Sequence, residues 1–145
     1  GTFGSLATII ILYFLFHTLN ISSNLILIGL VIVFIYSFFA VASHIKNIED
    51  KDPGEIVIDE FIGQSIPIYL YEVSHGTEKL PNEAIIFYAV CFILFRFFDI
   101  RKPFPINFFD KNYKNSFGVI MDDVCAGLYV VLSLICFMIL SSYLI

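Results

Sequence analysis

Residues 25–43 read LILIGLVIVFIYSFFAVAS, a run without a single charge. A helix of about 20 apolar residues is what crosses the hydrocarbon core of a bilayer, so this stretch sets the class of fold as helix in lipid. The rest of the chain agrees. Residues 6–19 (LATIIILYFLFHTL) form a shorter apolar run, and the polar turn NISSN (20–24) separates the two. A third helix is expected to open at Asp52-Pro53-Gly54-Glu55, with Asp as cap, Pro at the first helical position and Glu closing a capping box. It should run to about Tyr71 and kink at Pro67. A fourth is expected over about 83–98, then a long basic, proline-containing loop, then a last helix from Gly118 to Leu144. The chain has 145 residues and is 59% hydrophobic and 14% charged, against about 25% charged for a soluble domain. The expected fold is therefore all-α: an integral membrane bundle of about four to five helices in one domain, residues 1–145.

Charge and cysteine usage exclude several classes. A net charge of -5 argues against nucleic acid as a partner, because a phosphate backbone needs a cationic face. Cys91, Cys125 and Cys136 are widely spaced and odd in number, which suits neither a disulfide framework nor a zinc site. The opening GTFGS has no basic segment before an apolar one, so no cleavable signal peptide is expected. The absence of an initiator Met suggests a start inside the natural protein or after processing. With the helices taken as alternating spans, Lys46, Lys51, Arg96, Arg101, Lys102, Lys111 and Lys114 fall on one side and Lys79 on the other. The excess of Lys and Arg marks the cytoplasmic side.

Two acidic pairs interrupt this apolar background: Asp59-Glu60 in IVIDEFIGQ (56–64) and Asp122-Asp123 in VIMDDVCAG (119–127). An Asp at mid-bilayer costs roughly 2.5–3.5 kcal/mol, so such residues face a polar cavity and mark function. In the alternating topology both pairs lie about one helical turn from the cytoplasmic ends of their helices, level with Arg96 and Asp99. They are expected to form one layer at the cytoplasmic rim. Gly63 and Gly127, following the pairs, should let their helices approach closely.

Carboxylates without a histidine in the same motifs suit a hard, oxygen-loving cation, and Mg²⁺ takes one or two of them plus waters and a substrate phosphate. Arg96, Arg101 and Lys102 can neutralise that phosphate. Metal, cation and a spare carboxylate are the parts for hydrolysing a phosphate ester, and at a membrane surface the ester belongs to a phospholipid. The expected roles are Asp59, Glu60, Asp122 and Asp123 holding Mg²⁺, Asp99 orienting water or a second ion, and Lys102 with Arg96 binding phosphate.

The segments GTFGS, DPGEIVIDEFIGQ, FRFFDIRKPFPI and GVIMDDVCAG, in this order, resemble the phosphatidylglycerophosphatase A family over nearly the whole chain. The resemblance implies a Mg²⁺-dependent enzyme of the bacterial inner membrane. Its reaction would convert phosphatidylglycerophosphate to phosphatidylglycerol. The family's acidic positions would fall on Asp52, Asp59, Glu60, Asp99, Asp110, Asp122 and Asp123, its motif lysine on Lys102, and Thr2 and Ser5 would belong to a phosphate-contacting loop. Two departures stand out: the family's Lys-Ala-Pro-like stretch before GTxGS is absent, and a glycine pair before the last acidic motif reads Asn115-Ser116. The second should change only how the last helix is capped.

Plainer roles compete at each position. The pairs could be structural ion pairs or acids favoured by a helix N-terminus; Asp52 could simply cap; Asp110 could pair with Lys111 or Lys114; Arg96, Arg101 and Lys102 could be snorkelling anchors. His44 lies on the cytoplasmic side and could join the site, while His17 and His75 lie on the outer side. The alternative function is a carboxylate-based ion or proton transporter, which would need matching acids in the outer half, where none is expected. A third reading is a small membrane scaffold.

Overall fold

A computed structural model describes residues 1–46, 56–75 and 80–145. Among them are six α-helices and no strand: α1 (Thr2–Tyr13), extended by a π-helical segment (Phe14–Thr18), α2 (Ser23–Ile45), α3 (Ile58–His75), α4 (Pro81–Arg101), α5 (Ile106–Asn112) and α6 (Ser116–Leu144). Lys51, Asp52, Glu55 and Lys79 lie outside the described residues.

Two helices are long and apolar enough to cross a membrane, α2 and α6, and only 17% and 22% of their apolar windows are buried in the protein. The core helix of a soluble protein would be largely covered. These helices instead turn Ile32, Phe39, Phe137 and Leu140 outward, a surface suited to lipid rather than water.

Three expectations need correction. The third helix does not run unbroken from the expected start: Asp52-Pro53-Gly54-Glu55 lies outside the described residues, Ile56 and Val57 are not helical, and α3 begins at Ile58. Ile56 is buried in an apolar cluster with Val41, Val119 and Ile120, a contact that fixes the chain just before α3. Asp59 and Glu60 consequently occupy its first turn, where the exposed N–H groups favour negative charge. Secondly, the proline-containing loop is not all loop. Pro105 stands at the N-cap of α5, and Ile106 is fully buried, so one anchored apolar side chain turns the segment helical against α6. Thirdly, α4 runs to Arg101, which places Arg96 and Asp99 in its last two turns. The capping of α6 is as expected, because the Asn115 side chain accepts a hydrogen bond from the Gly118 N–H at 3.1 Å, the role Asn plays well at an N-cap.

The helices alternate in direction. Gly4 of α1 lies against Glu60 near the start of α3, and His17 meets Glu72 near its end, so α1 and α3 run the same way. Arg96 lies near Glu60 and Tyr88 near Glu72, so α4 runs the other way. Val41 and Ile45 near the end of α2 pack with Ile56, Val119 and Ile120, which makes α2 antiparallel to α3 and α6. Helix α3 is the hub, buried on nearly all sides and packed against α1, α2, α4 and α6.

A glycine crossing brings α3 and α6 together. A Cβ at Gly63 would collide with the Asp123 carbonyl and come within 2.8 Å of the Phe95 ring. One at Gly127 would collide with the Gly63 carbonyl. Pro67 lacks an N–H, so the Gly63 carbonyl has no helical donor four residues on, and Gly127 packs against that same carbonyl. Close backbone approach between small residues is a usual way for helices to associate in lipid. Gly29 of α2 meets nothing within 4 Å. In detergent, Gly63→Val should therefore lose about 3 kcal/mol of stability through overpacking against backbone that cannot yield. Gly29→Ala should be neutral or gain roughly 0.5 kcal/mol. Thermal unfolding of both variants checks the contrast, and equal effects would refute the crossing.

Candidate active site

The two acidic pairs have the same local geometry. Asp59 Oδ1 accepts from the Glu60 N–H at 2.8 Å, and Asp122 Oδ1 accepts from the Asp123 N–H at 2.9 Å. In each pair the first carboxylate is turned back onto its own helix. All four residues are nearly sealed, with Asp59 6%, Glu60 7%, Asp122 7% and Asp123 4% exposed. Buried carboxylates at this density need cations or donors close by.

On one flank stands Arg96. Its Nη1 donates to Asp99 Oδ2 at 2.5 Å and lies 3.8 Å from Glu60 Oε1. The Gly1 nitrogen also meets Glu60 Oε1, and Gly4 leaves room for the other oxygen of that carboxylate. The GTFGS segment is thus brought to the acids. Ser5 is fully buried there, whereas Thr2 is exposed.

On the other flank stands Lys102, which joins Asp110 of α5 at 2.8 Å to Asp122 of α6 at 3.1 Å. Asp110 therefore pairs with Lys102 rather than with Lys111 or Lys114. Burial alone would push the lysine pKa down, but the hydrogen bond to Asp110 and the charge of Asp122 outweigh it and hold the ammonium above its ordinary value. Lys102 also ends α4 with φ 43° and ψ 59°. A non-glycine residue in the left-handed region costs roughly 1–2 kcal/mol, and here two carboxylates anchor it. The segment after it is pinned to α6 by the Tyr129 hydroxyl, which donates to the Phe104 carbonyl.

Between the flanks sits Asp123, within electrostatic reach of Asp59, Asp99, Asp122 and Glu60. Among the described residues no lysine or arginine pairs with it. No three acidic, histidine or cysteine side chains converge, among the described residues, into a ready-made metal cage. The layer still carries unused hydrogen-bonding capacity: Ser5 Oγ, Glu60 Oε2, both amide atoms of Gln64 and Arg96 Nε are buried without a protein partner. Such atoms are rare in folded proteins and call for water, an ion or a ligand group. Gln64 was not among the predicted residues. Its signal was present, because a long polar side chain four residues after Glu60 shares that residue's helical face.

His44, at the end of α2, is half-buried, and its Nε2 is buried without a protein partner. Cys91 and Cys125 are buried free thiols and Cys136 an exposed one. At the far end of the bundle a second polar cluster stands where no acid was expected to matter. Glu72 Oε1 accepts from the Tyr88 hydroxyl at 2.7 Å and lies 2.9 Å from His17 Nε2. The outer half is not free of acids, and this one is fully engaged by neighbours on two other elements.

An all-helical protein with two helices long and apolar enough to cross a membrane, and a sealed layer of carboxylates with two cations at one end, is the class that fold and site define. The sequence family described as phosphatidylglycerophosphatase A matches residues 1–138, and the chain belongs to it. It is 36% identical over 132 residues to the phosphatidylglycerophosphatase A of Haemophilus influenzae, covering 91% of this chain and 74% of that protein. It is 33% identical over 128 residues to the phosphatidylglycerophosphatase A of Escherichia coli, covering 88% and 67%. A Bacteroides thetaiotaomicron protein provisionally named phosphatidylinositol-3-phosphatase is 33% identical over 131 residues, covering 89% and 77%. No solved structure matches the chain.

Removing one member of a buried charge pair leaves the other uncompensated. Arg96→Met should therefore lower stability by about 3 kcal/mol. Arg101→Met, where the exposed guanidinium only lies over the Phe97 ring at 5.8 Å, should stay within about 0.5 kcal/mol of the parent. Chemical denaturation in mild detergent separates the two, and an Arg96 variant as stable as the parent would contradict the pairing.

Proposed function

We propose that the protein hydrolyses the terminal phosphate of phosphatidylglycerophosphate, releasing phosphatidylglycerol and inorganic phosphate, at the cytoplasmic face of a bacterial inner membrane. The observation that carries this reading is Asp123, surrounded by carboxylates, with the cations Arg96 and Lys102 on either flank. The helices beyond α2 and α6 are read as further spans, because α1, α3 and α4 share their alternating directions. The excess of Lys and Arg at the acidic end supports a cytoplasmic position for that end.

The residues present fit Mg²⁺. The donors are oxygens only, their charges outnumber the cations beside them, and Glu60 Oε2 is a buried oxygen without a partner. Mg²⁺ takes one or two carboxylates with water and substrate phosphate, so a complete protein cage is not required. Asp123, flanked by Asp59, Asp122 and Glu60, would hold it. When bound, the ion would polarise the phosphoryl oxygens and lower the pKa of water. The side chains do the rest. Lys102 has three N–H donors and uses two on Asp110 and Asp122, leaving one for a phosphate oxygen. Arg96 presents its unused Nε from the other flank, and Asp99, held by Arg96, is placed to orient water. Water attacks phosphorus, the P–O bond to glycerol breaks, and the alkoxide takes up a proton.

Two of the relatives are named for phosphatidylglycerophosphate and the third for a phosphoinositide, so the shared chemistry is a lipid phosphomonoester. Headgroup preference is settled by assaying defined lipid phosphates side by side in detergent. Asp123→Asn and Asp59→Asn should each reduce phosphate release at least about 100-fold while eluting as folded protein. Chelation by EDTA should abolish release and Mg²⁺ should restore it; undiminished turnover in EDTA would remove the metal from the reading.

A further inference from the structure

An apolar groove leads away from the acidic layer, between α2, α3 and α6. Its volume is about 370 Å³. At one end it is lined by Val124, the residue after Asp123, and by Ile62, two residues after Glu60; at the other by Leu27 and Leu70. On α3 it runs from Ile62 to Leu70, about 12 Å at 1.5 Å per residue. On antiparallel α2 it runs from Phe34 to Leu27, about 10 Å by the same rise, so the two walls match in length. Only Ser65 and Tyr69 among its lining residues carry polar side-chain atoms, and the Ser65 hydroxyl is already donated to the Ile62 carbonyl at 2.8 Å. Apart from the Tyr69 hydroxyl, the lining therefore offers nothing to water. Leu27, Val31 and Leu70 are partly open on the lipid side.

We propose that this groove binds an acyl chain of the lipid whose phosphate occupies the acidic layer. The inference rests on the function proposed above and adds a second contact region to it. Depth decides the occupant: one end of the groove, at Val124 and Ile62, lies within two residues of Asp123 and Glu60 and so level with the acids, and from there it runs along the bundle, the course a chain must take when its headgroup lies at the rim. Two other apolar hollows, lined by Tyr71, His75 and Met138 among others, lie at the far end of α3 and reach none of the acids. Seating a chain here would hold the phosphate in register with Asp123 and Lys102. It would also favour a membrane-resident ester over a soluble one.

The test fills the groove from its lipid side. Val31→Trp adds bulk inside it, whereas Ile32→Trp adds the same bulk one residue on, on a face of α2 turned away from it. Each purified variant is assayed on dioleoyl and dihexanoyl phosphatidylglycerophosphate in detergent. Val31→Trp should raise KM about tenfold for the long-chain lipid, the loss expected for a few methylene contacts, with kcat and the short-chain KM unchanged. Ile32→Trp should alter neither. Equal effects on both chain lengths, or from both variants, would overturn the proposal. An independent arm uses a phosphatidylglycerophosphate with a diazirine in its acyl chain. Labelling within residues 27–34 and 62–70 supports the groove, and labelling confined to other segments overturns it. If the parent releases phosphate from no lipid yet is labelled there, the functional reading fails and the groove stands. If it turns over both chain lengths alike, the groove fails and the functional reading stands.

Discussion

The backbone contact between α3 and α6 at Gly63 and Gly127 is the constraint from which the rest follows. It sets the two helices at a separation that no larger side chain would allow. Because they run in the same direction, the acidic pair three to five residues before each glycine arrives at the same end of the bundle. The density of carboxylates is thus a consequence of packing. Pro67 contributes by leaving the Gly63 carbonyl without its helical donor, so that the carbonyl faces α6 where Gly127 can approach.

Such a density is tolerable only with compensation. Arg96 and Lys102 supply it from the end of α4, on opposite flanks, and each ties two carboxylates together. Lys102 accepts a left-handed backbone to do so, and α5 exists in large part to bring Asp110 beneath it. The compensation stops short of neutrality. Asp123 among the carboxylates and a set of buried, unpartnered polar atoms on Ser5, Glu60, Gln64 and Arg96 leave excess negative charge and unmet hydrogen-bonding capacity, which the proposed metal and phosphate would take up. The same end of the bundle opens onto an apolar groove, which matches a ligand that is ionic at one end and aliphatic at the other.

Much of this was legible in the chain. The uncharged run at 25–43 read as a helix long and apolar enough to cross a membrane, and α2 covers it. The two acidic pairs stood out because ionised groups are scarce in such surroundings, and the glycines after them announced a close crossing. Other features were not legible. Ile56 and Val57 looked like part of a helix, but Ile56 is held in an apolar cluster formed with α2 and α6, which local pattern cannot reveal. The segment after Lys102 read as loop because of its prolines, yet burial of Ile106 makes part of it helical. Gln64 passed unnoticed because an uncharged polar residue in a helix becomes informative only when both amide ends are seen to be buried without partners.

Composition, periodicity and motif order were enough to establish an all-helical chain, the family to which it belongs and most of the charged residues at one end. They act through local rules: apolar length, turn chemistry and the expense of placing charge near lipid. Which acid pairs with which cation lay beyond them. Lys102 bridges residues 8 and 20 positions away, Glu60 faces α1 and α4, and Asp123 is left at the centre. Those partnerships depend on helix directions and on a single backbone crossing, quantities that exist only once the helices are packed.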